Sequence, residues 1–173
     1  GKIDTALECF SRATEIFQHF LLVYNFIGNL FLDSGDYIQA TSLYRKCIEI
    51  SSDISFVWCN LGVSLLAQGL NRESIAPLEK ATELQPDFAY AHASLGDAHL
   101  ANDNPTLALQ AYRTAHSLEP DNSVYAENLA TLAIHFNYMD EAFACLKPLQ
   151  ESGTASPHAN SALGNILAAN GLT

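Results

Sequence analysis

A 34-residue spacing runs the length of this chain and restricts the folds open to it. With units starting at 21, 55, 89, 123 and 157, position 8 reads Gly28, Gly62, Gly96, Ala130 and Gly164. Position 20 reads Ala40, Ser74, Ala108 and Ala142, with Ala6 one unit earlier. Position 7 holds Ile27, Leu61, Leu95, Leu129 and Leu163. A repeat of that length cannot bury its own apolar face, so neighbouring copies must stack into a solenoid of helix pairs. Such arrays offer surface to a partner more often than they do chemistry.

Residues 55–88 show how one unit folds. Trp58, Leu61, Gly62 and Leu65 recur at i, i+3, i+4 and i+7, the buried stripe of a first helix. Asp53 or Ser55 is placed to cap its start. Gly69 follows its end, and the same slot along the chain holds Gly1, Gly35, Asp103, Asn137 and Gly171. These residue types tolerate positive φ, so all units should share one left-handed turn. A second helix carries Ser74, Leu78, Ala81 and Leu84 on one face, and Pro86 stops it. Pro77 falls early in that helix, where one lost backbone bond is tolerable. In the next unit Asn104 and Pro105 open the second helix as cap and first residue, and Pro120 ends it. Small residues at positions 8 and 20 let the helices approach; large ones at 4, 11 and 24, such as Tyr24, Phe31 and Tyr44, fill the space around them.

The run Trp58-x-x-Leu61-Gly62-x-x-Leu65, then Gly69, Ser74, Leu78, Ala81 and Pro86, resembles the tetratricopeptide repeat. The unit from 89 resembles it through Leu95, Gly96, Ala108, Tyr112, Ala115 and Pro120. The resemblance extends over essentially the whole chain. It implies an all-α, right-handed superhelix of antiparallel helix pairs, first helices lining a concave face and second helices a convex one.

On this register residues 1–20 are the second helix of a truncated repeat. Residues 21–54, 55–88, 89–122 and 123–156 are four full repeats, and 157–173 is the first helix of another. The chain thus reads as a piece of a longer array. The unit from 123 is degenerate: Pro148 falls inside its second helix, Thr154 replaces the stopping proline, and 151–157 reads as loop. That helix is expected to end or kink near Pro148. Without polar end caps, Leu7, Phe10, Ile16 and Phe17 at one end and Leu163, Ile166 and Leu167 at the other should lie partly bare. Head-to-tail self-association would cover them.

Charge narrows the partner. Eight Lys and Arg stand against nineteen Asp and Glu, which excludes a phosphate-binding surface and hence nucleic acid. No apolar run is long enough to span a membrane. All eight cations (Lys2, Arg12, Arg45, Lys46, Arg72, Lys80, Arg113 and Lys147) fall on second helices or the turns leading to them. The resemblance brings to mind a carboxylate clamp, in which Lys, Asn, Asn, Lys and Arg hold the acidic C-termini of chaperones. Here Asn29 and Asn60 match, but Asn25, Tyr90 and Ser94 occupy the charged places. A carboxylate needs opposed charge to offset its desolvation, so clamp binding to chaperone C-termini is not expected.

What the first helices do carry is an apolar stripe at position 2: Leu22, Phe56, Tyr90, Val124 and then His158. It lies off the core face and is expected to be exposed. Beside it stand Asn25, Asn29, Asn60, Asn128, Asn160 and Asn165, with Asp33, Asp97 and Glu127 adding negative charge. The asparagines resemble in part the ladder of O-GlcNAc transferase and the peroxisomal import receptor, where amides satisfy the backbone of an extended peptide. The candidate partner-binding set is therefore Leu22, Asn25, Asn29, Phe56, Asn60, Tyr90, Asp97, Val124, Glu127 and Asn128. The partner expected is a neutral-to-basic peptide or helix.

No nucleophile–base pattern, phosphate-cradling loop or metal signature is present, so neither catalysis nor a cofactor is expected of these residues. His92 and His99 occupy packing positions, and Cys9, Cys47, Cys59 and Cys145 read as free buried thiols of a cytoplasmic protein. Two other roles fit the same array: the recruiting arm of a larger enzyme such as a glycosyltransferase or phosphatase, and a secretion or assembly chaperone.

Overall fold

A computed structural model describes residue 16 and residues 20–169. The chain divides into two compact units, Gly1–Pro86 and Asp87–Thr173. Every regular element among the described residues is an α-helix.

In the first unit, α1 spans 20–33, α2 is Tyr37–Ile50, α3 is Ser55–Ala67 and α4 is Asn71–Leu84. The expected small positions are where these helices meet. A Cβ placed on Gly28 would lie 2.8 Å from Tyr44 Cε1 and one on Gly62 2.5 Å from Leu78 Cγ, so neither site has room for a side chain. Ala40, Tyr44, Cys47, Val57, Leu61 and Leu65 form the core. A small polar knot ties α3 to α2. Gln68 Nε2 donates to Thr41 Oγ1 (2.7 Å) and to Ser64 O (2.9 Å), and the Thr41 and Ser64 hydroxyls are 2.8 Å apart.

In the second unit, α5 is Ala89–Ala101, α6 Pro105–Leu118, α7 Ser123–His135, α8 Met139–Ser152 and α9 Pro157–Ala169. Successive helices α5 to α9 pack on one another. Ala108, Tyr112, Leu129, Ala142, Leu146, Leu149, Leu163 and Ile166 belong to one core.

The shared turn is as the sequence implies. Gly35, Gly69, Asp103 and Asn137 all have positive φ, between 57° and 83°. Each closes its helix with the same pair of bonds, as in Gly69 N–H to Leu66 O (2.9 Å) and Leu70 N–H to Leu65 O (3.0 Å). Gly1 and Gly171 lie outside the described residues.

Four expectations are corrected. Neither Asp53 nor Ser55 caps α3: Ile54 stands at the N-cap without a side-chain bond, Asp53 accepts from Ser51 Oγ, and Ser55 Oγ donates to Gln85 Oε1 (2.7 Å). Asn104 stands at the N-cap and Pro105 opens α6 as expected, but the Asn104 side chain donates to Asn102 O (3.0 Å) and makes no cap bond. Helix α8 runs through Pro148 to Ser152 and ends at left-handed Gly153, so only the segment after it is loop. Pro148 is exposed between buried Leu146 and Leu149, and the carbonyl it deprives of a partner belongs to Ala144, which is also exposed to water. Packing on both sides thus holds a helix that the proline alone would break. Finally, Leu163 and Ile166 are buried and Leu167 is partly covered, because α9 packs against α8 and α7. At the other end Ile16 is exposed, while Leu7, Phe10 and Phe17 lie outside the described residues.

Candidate interaction surface

In the first unit Leu22 and Phe56 are exposed, 59% and 38%, off the core faces of α1 and α3. The three asparagines beside them are half-buried and bonded to one another. Asn60 Nδ2 donates to Asn25 Oδ1 (3.3 Å) and to Asn29 Oδ1 (3.1 Å), and Asn29 Oδ1 also accepts from Tyr44 Oη (2.7 Å). Both amide hydrogens of Asn60 are thereby committed within the protein. The carbonyl of Asn60 and the amino groups of Asn25 and Asn29 are what the cluster can still turn to a peptide backbone.

In the second unit Tyr90, Val124 and His158 are exposed. The acidic residues expected to colour this face are engaged in structural bonds. Asp97 accepts from Tyr112 Oη, the counterpart of the Tyr44–Asn29 bond. Asp97 is an exposed residue, but the neighbouring helix packed around its carboxyl raises the group above its ordinary pKa by partial desolvation, which the tyrosine bond opposes only in part. Burial and the carboxylate together push the Tyr112 hydroxyl far up. Glu127 Oε1 accepts from Ser156 N–H (3.0 Å) and Oε2 from Ser156 Oγ (2.7 Å), while Ser156 Oγ accepts from Ala159 N–H (3.1 Å). Glu127 therefore buttresses the cap of α9, held by neutral donors and by no cation. Asn128 is half-buried.

One feature of this unit is not visible from any single position of the repeat. A cleft of about 470 Å³ opens between α7 and α9 beside the start of α8. Its floor is Ile134, Met139, Ala162 and Ile166; Thr131 and His158 stand at its lips. The signal was present in positions 9 and 12 of one unit facing positions 2 and 6 of the next, a pairing that the position-2 stripe taken alone does not show.

Tetratricopeptide repeat models match residues 22–54 and 59–123, together more than half of the chain. The chain belongs to the tetratricopeptide repeat family. A search of curated protein sequences finds no match. Among solved structures, MamA is similar at 21% identity and TM-score 0.76, over 90% of this chain and 85% of that one. The first tetratricopeptide domain of Spaghetti (RPAP3), bound to the HSP90 peptide SRMEEVD, is similar at 19% identity and TM-score 0.66, over 69% of this chain and 94% of that one. The second such domain of human RPAP3, in complex with the HSP70 peptide SGPTIEEVD, gives 22% and 0.64, over 67% and 97%. These likenesses show an all-α helical-repeat fold.

Within this tetratricopeptide array, of the two histidines at packing positions, His99 is buried with Nδ1 unpaired and His92 is half-buried. Elsewhere, burial lowers the pKa of half-buried His116, whose Nδ1 is also unpaired. Cys47, Cys59 and Cys145 are buried, and burial pushes the Cys47 and Cys145 thiols up to about 11, so those two are poor nucleophiles. Among the described residues no group of three or more His, Cys, Asp or Glu could hold a metal ion. No helix there is long and apolar enough to cross a membrane.

Proposed function

We propose that this array is a protein-interaction scaffold that grips a neutral-to-basic peptide or helix on its first-helix face. The observation that carries the reading is a coincidence on α1, α3, α5, α7 and α9. These helices hold exposed Leu22 and Phe56 in the first unit and exposed Tyr90 and Val124 in the second, and not one Lys or Arg. Exposed aromatic side chains make good anchors because they bury large area at small entropic cost. Amides of Asn25, Asn29, Asn60 and Asn128 supply sequence-independent contacts to backbone.

The two RPAP3 domains hold peptides ending in EEVD, which supports peptide binding as the class of activity. It does not extend to that charge. Asn25, Tyr90 and Ser94 put no cation where a clamp needs one, Ser94 is buried, and Asn29 and Asn60 are bonded to each other.

The test compares the chain with a Phe56→Glu/Tyr90→Glu variant of equal helicity as bait in native lysate, read by mass spectrometry. The reading expects a set of partners lost from the variant, enriched in basic segments. An unchanged partner list would move binding off this face.

A further inference from the structure

The cleft between α7 and α9 has a chemistry of its own. Its floor is aliphatic, with Ile134, Met139 and Ala162 partly open and Ile166 buried beneath them, whereas Thr131, Asn137, His158, Ser161 and Asn165 around it are polar and exposed. A volume of about 470 Å³ lies within the range of pockets that hold a compact ligand. An open trough of that size suits one turn of an amphipathic helix, which presents two apolar side chains at i and i+4. The methionine lends adaptability, since its thioether has no preferred partner shape.

Charge decides what flanks those side chains. Residues 87–173 contain two cations, Arg113 and Lys147, against nine carboxylates. Both cations are already engaged: Arg113 Nε lies 2.7 Å from Glu141, and Lys147 Nζ lies 3.8 Å from Glu151. The remaining carboxylates have no cation of this unit left to neutralise them, and Asp140 directly follows Met139, which lines the cleft. An aliphatic trough in a negative field favours lysine or arginine beside the inserted side chains and repels acidic segments.

We infer that this cleft is the anchor site for one turn of a basic amphipathic helix, two aliphatic side chains entering between Thr131 and His158. The inference rests on the reading of the first-helix face as the binding surface and adds the site and the partner's chemistry.

Met139 is the chain's only methionine, so selective methyl labelling places one resonance inside the cleft. A Met139→Leu variant assigns it. The probe is a synthetic helical peptide of lysine and alanine with one i, i+4 leucine pair. Controls replace both leucines by serine, or every lysine by glutamate. The leucine–lysine peptide should move the Met139 methyl saturably, with each control at least about tenfold weaker. Thr131→Trp, at an exposed position on the lip, should remove binding with helicity intact, and Ser161→Trp gives a second block from the opposite wall. A stationary Met139 methyl overturns the inference, as does equal binding of the serine control or no binding of any peptide at millimolar concentration. Partners lost through Phe56→Glu/Tyr90→Glu but kept by Thr131→Trp would sink the cleft alone. A moving Met139 methyl with an unchanged lysate partner list would instead sink the aromatic stripe.

Discussion

Two carboxylates of the second unit should respond to acid in opposite directions. Glu141 takes a two-pronged bond from Arg113, Nε and Nη2 each at 2.7 Å, which holds its carboxyl below the ordinary glutamate range and raises the guanidinium. A depressed native pKa stabilises above the unfolded value of about 4.3, and the benefit is lost as pH falls through the folded one. Glu141→Gln should therefore cost about 0.5–1 kcal/mol at pH 7, and the gap to the parent should close in acid. Asp97 is raised instead, by partial desolvation of its carboxyl against Tyr112, and because the residue is exposed to water the effect on stability is small. Its contribution is full below about pH 3.9 and is lost as pH rises through the native value. Asp97→Asn keeps an oxygen for Tyr112, so it should raise Tm at pH 7 and change little at pH 3. Melting curves against pH that run parallel for all three proteins would refute both assignments. The role of Asp97 was half-legible in the sequence. Tyrosine at position 24 recurs only where position 9 holds an acceptor, Tyr44 with Asn29 and Tyr112 with Asp97, while Leu78 faces a unit with Val63. Read singly, Asn29 and Asp97 look like groove residues; read with their tyrosines, they are helix-pair bonds.

Among the elements, turns were the most legible and caps the least. A turn with positive φ leaves few residue types to choose from, so Gly35, Gly69, Asp103 and Asn137 announce it. A cap competes with any nearby donor, and Ser51 claims Asp53 before the α3 backbone does. Proline misled for a related reason. Its local penalty is fixed, but whether the helix survives depends on the packing of Leu146 and Leu149, which the residue alone does not reveal. The same reasoning predicts that Pro148→Ala restores the bond to Ala144 O without disturbing the core. It should stabilise the chain by about 1–3 kcal/mol in urea unfolding. A neutral or destabilising result would mean that α8 is adapted to the proline.

Over the whole molecule the legible quantity was the charge pattern. Nineteen acids against eight bases could have been scattered evenly, yet none of the described first helices α1, α3, α5, α7 and α9 carries a cation. Local contacts and the overall field govern different rates. Side chains such as Phe56 act once a partner has docked and so set dissociation, whereas a field summed over eleven net negative charges acts on approach. For a basic partner the association rate should fall about tenfold between roughly 0.05 and 0.5 M salt, with dissociation changing far less. Phe56→Glu should do the reverse, speeding dissociation while adding to the attractive field. Stopped-flow association and dissociation traces separate the two. If salt left the association rate unchanged, the absence of cations from the first helices would be unrelated to partner choice, and the basic character assigned to the partner would fall with it.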